Sequence, residues 1–282
     1  MKKSLLSLLL FLCLISPLLA QQTGYSFKER FNIVLFSGYE MEQKNTNIHN
    51  QYGGLYIDWL PYKAQRLMFG PYMVLGLSGS SNNISKYSGN GRELEIGGLV
   101  GYYDEGALIP NYWTFSNLSL GIKSMNDRGE SRLRTGTYRG EQDDLIIVFH
   151  LGFQMNKKML GQIFPKSQLT LALDRVLDVE KEASWENKPI IPEIWPKDRL
   201  KIVAKQTIIG LPLSQVLYLG PKIIGAYERT REQNFFSLGL EISTYKIFRD
   251  DFLLINGQYR FDPKNNKNAF IWELVFNFSQ LL

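Results

Sequence analysis

Between Ala269 and Phe278 large apolar residues occupy every second position, namely Phe270, Trp272, Leu274, Phe276 and Phe278, with Glu273 and Asn277 among those between. Side chains of an extended chain alternate between two faces, so this segment has one continuous apolar face and one that accepts charge and amide. Twelve segments carry such period-two alternation: 29–41, 51–60, 67–78, 92–103, 112–125, 144–155, 167–178, 199–210, 215–227, 234–245, 251–261 and 269–278. Connections rich in Gly, Pro, Asn, Asp and Lys separate them. Each segment is about as long as a tilted strand needs to cross hydrocarbon. The pattern predicts an all-β protein, a single transmembrane antiparallel β-barrel of about twelve strands, in which lipid covers the apolar faces and every backbone polar group is paired between strands. An even strand number puts both termini on one side.

The two faces are clearest in the sixth and tenth segments. The sixth sets Leu145, Ile147, Phe149, Leu151 and Phe153 against Val148, His150, Gly152 and Gln154; the tenth sets Phe236, Leu238, Leu240 and Ile242 against Ser237, Gly239, Glu241 and Ser243. The ninth contains Pro221, which cannot donate a ladder hydrogen bond, and a bulge or a later strand start is expected there. With the amino terminus periplasmic, the outward loops are 42–50, 79–91, 126–143, 179–198, 228–233 and 262–268. The inward turns are mostly shorter, the turn from Asn156 to Lys166 excepted.

The amino terminus has a different grammar. Lys2 and Lys3 precede an apolar run from Leu5 to Leu19, and Leu18-Leu19-Ala20-Gln21 offers a cleavage site, so residues 1–20 are expected to be a secretory signal peptide and 21–282 the barrel domain. Cys13, the one cysteine, lies inside this leader, which leaves the mature chain without thiol or disulfide. Removing the leader takes away two lysines and no acid, lowering the formal charge from +5 to +3 over 262 residues. That balance gives no reason to expect nucleic acid as a partner.

The leader, the alternating strands and the terminal Phe276-Asn277-Phe278 resemble the bacterial outer-membrane β-barrel proteins as a broad class, porin-like in form. The resemblance implies residence in the outer membrane of a Gram-negative-type bacterium, outer-membrane lipid as surroundings, and recognition of the last strand by the barrel assembly machinery during biogenesis. Ser279 to Leu282 follow Phe278 here, whereas the class commonly ends on the aromatic.

Function is sought on the inward face. Inward positions include Glu40, Asp58, Glu93, Glu95, Lys123, His150, Asp174, Lys201, Lys205, Lys222, Glu241, Arg260 and Glu273. Along the last five strands the order Lys201, Lys205, Lys222, Glu241, Arg260 and Glu273 would set opposite charges beside each other, and buried charges persist when paired. This predicts an integral barrel, structural or porin-like, with a narrow charge-balanced lumen. A diffusion channel for small polar solutes is the first alternative, since twelve strands fall between a filled eight-stranded barrel and a wide pore. A surface interaction or adhesion barrel is the second.

Catalysis has the least support. Some twelve-stranded barrels hydrolyse lipid with histidine and serine on the outer wall, but the two histidines here are His150, on the lumen face, and His49, in a short loop. Neither shows a base and nucleophile in sequence, so no enzyme activity, metal or cofactor is expected. The loop around Trp185, Ile190, Ile191 and Trp195 has three prolines at 189, 192 and 196, which rule out helix and regular ladder. Residues 180–197 are therefore expected to fold into the barrel mouth or dock a surface partner.

Overall fold

The computed structural model describes residues 31–42, 48–64, 66–82, 87–104, 110, 112–133, 136–159, 162–183, 198–207, 211–212, 217–228, 233–244, 253–261 and 268–278. The leader and the segment 184–197 lie outside the described residues. The strands are β1 (Phe31–Glu42), β2 (Ile48–Trp59), β3 (Tyr62–Ala64), β4 (Leu67–Asn82), β5 (Tyr87–Asp104), β6 (Tyr112–Leu133), β7 (Gly136–Met159), β8 (Gln162–Ala183), β9 (Asp198–Thr207), β10 (Leu211–Pro212), β11 (Leu217–Glu228), β12 (Gln233–Thr244), β13 (Leu253–Phe261) and β14 (Ala269–Asn277).

Sequence neighbours pair antiparallel throughout, and β14 returns to β1 over the register Val34↔Asn277 to Glu42↔Ala269. With that seam and the β9 to β11 ladder, twelve long strands form a closed barrel. The short β3 and β10 are side strips on β4 and β11. Closure removes both sheet edges, which is what a strand protein needs in hydrocarbon.

The burial pattern is inside-out relative to a protein that folds in water. On β14, Phe270, Trp272 and Leu274 are exposed while Ala269, Ile271 and Asn277 are buried; on β12, Phe236, Leu238 and Leu240 are exposed while Ser237 and Glu241 are buried. Apolar groups outside and polar groups inside suit a lipid solvent. On β6 the outward face changes from Leu118 and Leu120 to Ser124 and Arg128. The apolar band therefore ends near residue 122, and the rest of β6 stands above it.

Several expected connections are strand. The ladder continues to Asn82↔Tyr87 and to Leu133↔Gly136, so most of 79–91 and 126–143 is a paired extension and not loop. Outside the lipid, backbone pairing needs no apolar face, so the alternation that marks a membrane strand is missing there. The turn expected from Asn156 to Lys166 is likewise mostly ladder, with a shift of register between Asn156 and Lys158 that absorbs Pro165. His49, expected in a loop, belongs to β2 opposite Met41 and Ser81. Its Nδ1 lies 2.5 Å from the Tyr39 hydroxyl.

Pro221 sits inside an unbroken β11, opposite Leu240, with no register shift on the β12 side. On its other side the ladder with β9 stops at Lys222↔Thr207 and the one with β10 resumes at Leu219↔Leu211. The proline occupies the gap between two partners, where a missing N–H leaves no acceptor unmatched. Pro71 on β4 does the same between the last β2 pair, Asp58↔Tyr72, and the first β3 pair, Tyr62↔Phe69.

Candidate functional site

On the wall formed by β4 to β8 the lumen carries both apolar and polar groups. At the lower end Leu60, Met68, Tyr72 and Leu99 form an apolar cluster, with Tyr56, Val74, Tyr103 and Phe115 against it. Above it lies a polar belt. Tyr72 donates to Glu95 Oε1 at 2.6 Å, His150 stands 3.9 Å from Glu95 and 3.9 Å from Asp174, and Lys123 Nζ reaches Asp174 Oδ2 at 3.1 Å. Met125, Ile146 and Val148 form a second apolar cluster beside it, Ile146 being the ladder partner of Lys123 and Val148 that of Gly121 and Asp174. The sequence predicts a charge-balanced lumen; in the structure apolar clusters are interleaved with the charged groups.

Glycine makes the belt possible. Gly97 and Gly121 face each other across β5 and β6, and a Cβ on either would lie 2.6 Å and 2.5 Å from the Tyr72 ring and hydroxyl. The phenol can therefore lie flat across two strands and deliver its hydroxyl to Glu95. Gly38 serves Tyr52 in the same way: a Cβ there would lie 2.1 Å from the ring. The Tyr52 hydroxyl then donates to Glu273 at 2.9 Å.

The opposite wall carries the residues singled out in sequence. Lys222 and Glu241, with side chains 5% and 2% exposed, form an ion pair between β11 and β12. Glu273 takes neutral donors, Asn256 at 2.7 Å and Gln258 at 3.4 Å besides Tyr52, and Lys205 is within electrostatic range of it. Lys201 faces the lumen opposite Ala172 and Glu228, nearer the outer end than Lys205. Arg260 forks onto Glu40 of β1, reaching over β14, with Nη1 to Oε2 at 3.2 Å, and its guanidinium lies 5.2 Å from the Phe235 ring centroid. Its partner is thus Glu40 and not a carboxylate of the last five strands.

Sequence reasoning missed the neutral members Tyr52, Tyr72, Ser119 and Asn256. Alternation places them inward but gives no register, and only register shows Ser119 opposite His150 and Tyr52 opposite Gly38. Trp185, Ile190, Ile191 and Trp195 lie outside the described residues.

Below the belt is a cavity of about 450 Å³. Asp58, Glu95, His150, Tyr56, Tyr72 and the amides of Asn117 and Gln168 are among its lining. Asp58 accepts from Tyr56 at 3.0 Å and Asn32 at 3.4 Å. The rings of Tyr56 and Tyr72 stack with centroids 6.3 Å apart. Among the described residues no group of three or more His, Cys, Asp or Glu is arranged to hold a metal ion.

At the upper end, beyond the apolar band, Asp127 is buried near Asp144, Glu93 and Asp143. Burial first, and then the neighbouring negative charges, push its carboxyl up to about 7. On the exterior of the same extension Glu141 accepts from Asn126 and Arg128, and these hydrogen bonds hold it below the ordinary glutamate value.

Solved structures share this architecture. The translocator domain of the autotransporter NalP from Neisseria meningitidis matches with a TM-score of 0.51 at 9% identity, over 91% of this chain and 89% of that one. The beta domain of the Bordetella autotransporter Brka matches with a TM-score of 0.50 at 12% identity, over 88% and 99%. No protein-family model and no curated protein matches the sequence. At these identities the likeness is one of fold: the chain has the fold of an outer-membrane β-barrel, closed by twelve antiparallel strands with an apolar exterior suited to lipid.

Proposed function

We propose that the protein is a non-catalytic outer-membrane barrel, structural or porin-like, whose narrow lumen is braced by paired charges and passes little solute. The observation that supports this is the set of ties across the lumen wall: Arg260 to Glu40, Lys222 to Glu241, and Lys123 to Asp174. Each joins different strands. Two apolar clusters on the β4 to β8 wall add further side-chain volume to the lumen. Both histidines are engaged in ways that suit structure: His49 with Tyr39, His150 between two carboxylates. The leader at 1–20 would direct export, and the terminal strand would present Phe276 and Phe278 to the assembly machinery.

The test is single-channel recording of the purified protein in a planar bilayer. The expected trace shows weak steps or none. Stable openings of large-porin size would overturn this reading in favour of a small-solute diffusion channel. That second reading draws on the cavity below the belt, which offers a solute about 450 Å³ of room.

A further inference from the structure

We infer that the cavity below the polar belt is a binding site for a small organic cation bearing an amine or guanidinium group. Its place is fixed by strand register. Asp58 near the end of β2 and Glu95 on β5 each pair with a residue of β4, Tyr72 and Val74 in turn, so the two carboxylates flank the inner face of one strand. The Tyr56 and Tyr72 rings stand on the same wall.

The sign of the ligand follows from the lining. Two carboxylates contribute to it, and none of the described residues that line it is lysine or arginine. Lys123, on the same wall, is paired with Asp174. His150, the one imidazole in the lining, stands between Glu95 and Asp174 and adds a hydrogen-bonding edge. An anion would meet like charge from both carboxylates. A cation meets carboxylate acceptors beside two phenol rings, the residue types used in recognition of ammonium and guanidinium.

Size and fixing narrow the class further. A volume of about 450 Å³ falls within the range of small-molecule pockets and is far too small for a folded segment. Glu95 is held by the Tyr72 hydroxyl, itself positioned by the Gly97 and Gly121 bed, so its carboxylate is oriented before a ligand arrives. The amides of Asn117 and Gln168 supply oriented groups for the far end of an extended ligand. The inference is independent of whether the lumen conducts, because a ligand can enter from the lower mouth and leave the same way.

Isothermal titration of the folded full-length protein in detergent with agmatine, a guanidinium joined to an amine, provides the test. Maltose, a neutral polyol, and glutarate, a dianion, serve as comparators. Agmatine is expected to bind while the other two give no heat beyond dilution. Glu95→Gln and Asp58→Asn should each weaken agmatine by about tenfold, the scale of one charge-assisted hydrogen bond. Thr170→Trp places bulk in the cavity outside the charge network and should abolish binding in a protein whose gel shift on heating is unchanged. If a carboxylate variant fails to fold, the Thr170 variant decides alone. Binding of maltose or glutarate as tight as that of agmatine, or agmatine binding that survives Thr170→Trp in folded protein, overturns the inference.

Discussion

The hydroxyl of Tyr52 on β2 donates to Glu273 on β14 at 2.9 Å, across β1 and 221 residues apart in the chain. The two are not ladder partners; both are partners of Gly38, which lies between them. The seam where the first and last strands meet is therefore tied twice, once by backbone pairing and once by a side-chain bridge that passes over a glycine. Arg260 and Glu40 likewise bridge over one strand, β14.

Tyr52→Phe should lower stability by about 1–3 kcal/mol, because it leaves a half-buried carboxylate short of a donor. Gly38→Ala should act in the same direction by displacing the ring. Urea unfolding in a lipid or detergent environment measures both. A Gly38 variant as stable as the parent would show that the ring has another place to lie.

Lys222→Met takes from Glu241, 1% exposed, the ammonium it is bonded to. Breaking a buried pair from one side costs about 3–5 kcal/mol, whereas replacing both partners with apolar residues can be near neutral. The double variant Lys222→Met with Glu241→Leu should therefore recover most of the loss. The same unfolding assay separates the two cases, and an additive result would argue against direct pairing.

Asp127 makes the outer extension sensitive to pH. Its folded pKa, about 7, is raised above the ordinary 3.8, so the folded form binds the proton more tightly than the unfolded form. The stabilisation is fully present below about pH 4 and is lost as pH rises through about 7. Amide exchange of residues 126–143, corrected for intrinsic rates, should be slower at pH 5 than at pH 8. Asp127→Asn should flatten that dependence.

Trp272 is 59% exposed on the lipid face, where it covers Gly257, with a Cβ at that position only 2.7 Å from its ring. Amphipathic rings favour the membrane interface. In a variant with the other tryptophans replaced by phenylalanine, brominated lipid should quench its fluorescence, and a water-soluble quencher should do so less.

The lipid-facing half of this protein is written in the sequence. Alternation such as Phe236, Leu238 and Leu240 against Ser237, Gly239 and Glu241 is a local property of each strand, so it identifies strands, their faces and their number before any pairing is known. Where strands leave the lipid that signal stops, which is why the ladders at 79–91 and 126–143 looked like loops. The barrel interior depends on a different kind of information. That Arg260 meets Glu40, that Ser119 stands opposite His150, and that Gly97 and Gly121 form one bed for Tyr72 are consequences of register and closure. Lumen partners are chosen between strands far apart in sequence, and a shift of one residue would turn each side chain to the opposite face. Composition and period two decided which residues point inward; only the closed tertiary structure decided which of them meet.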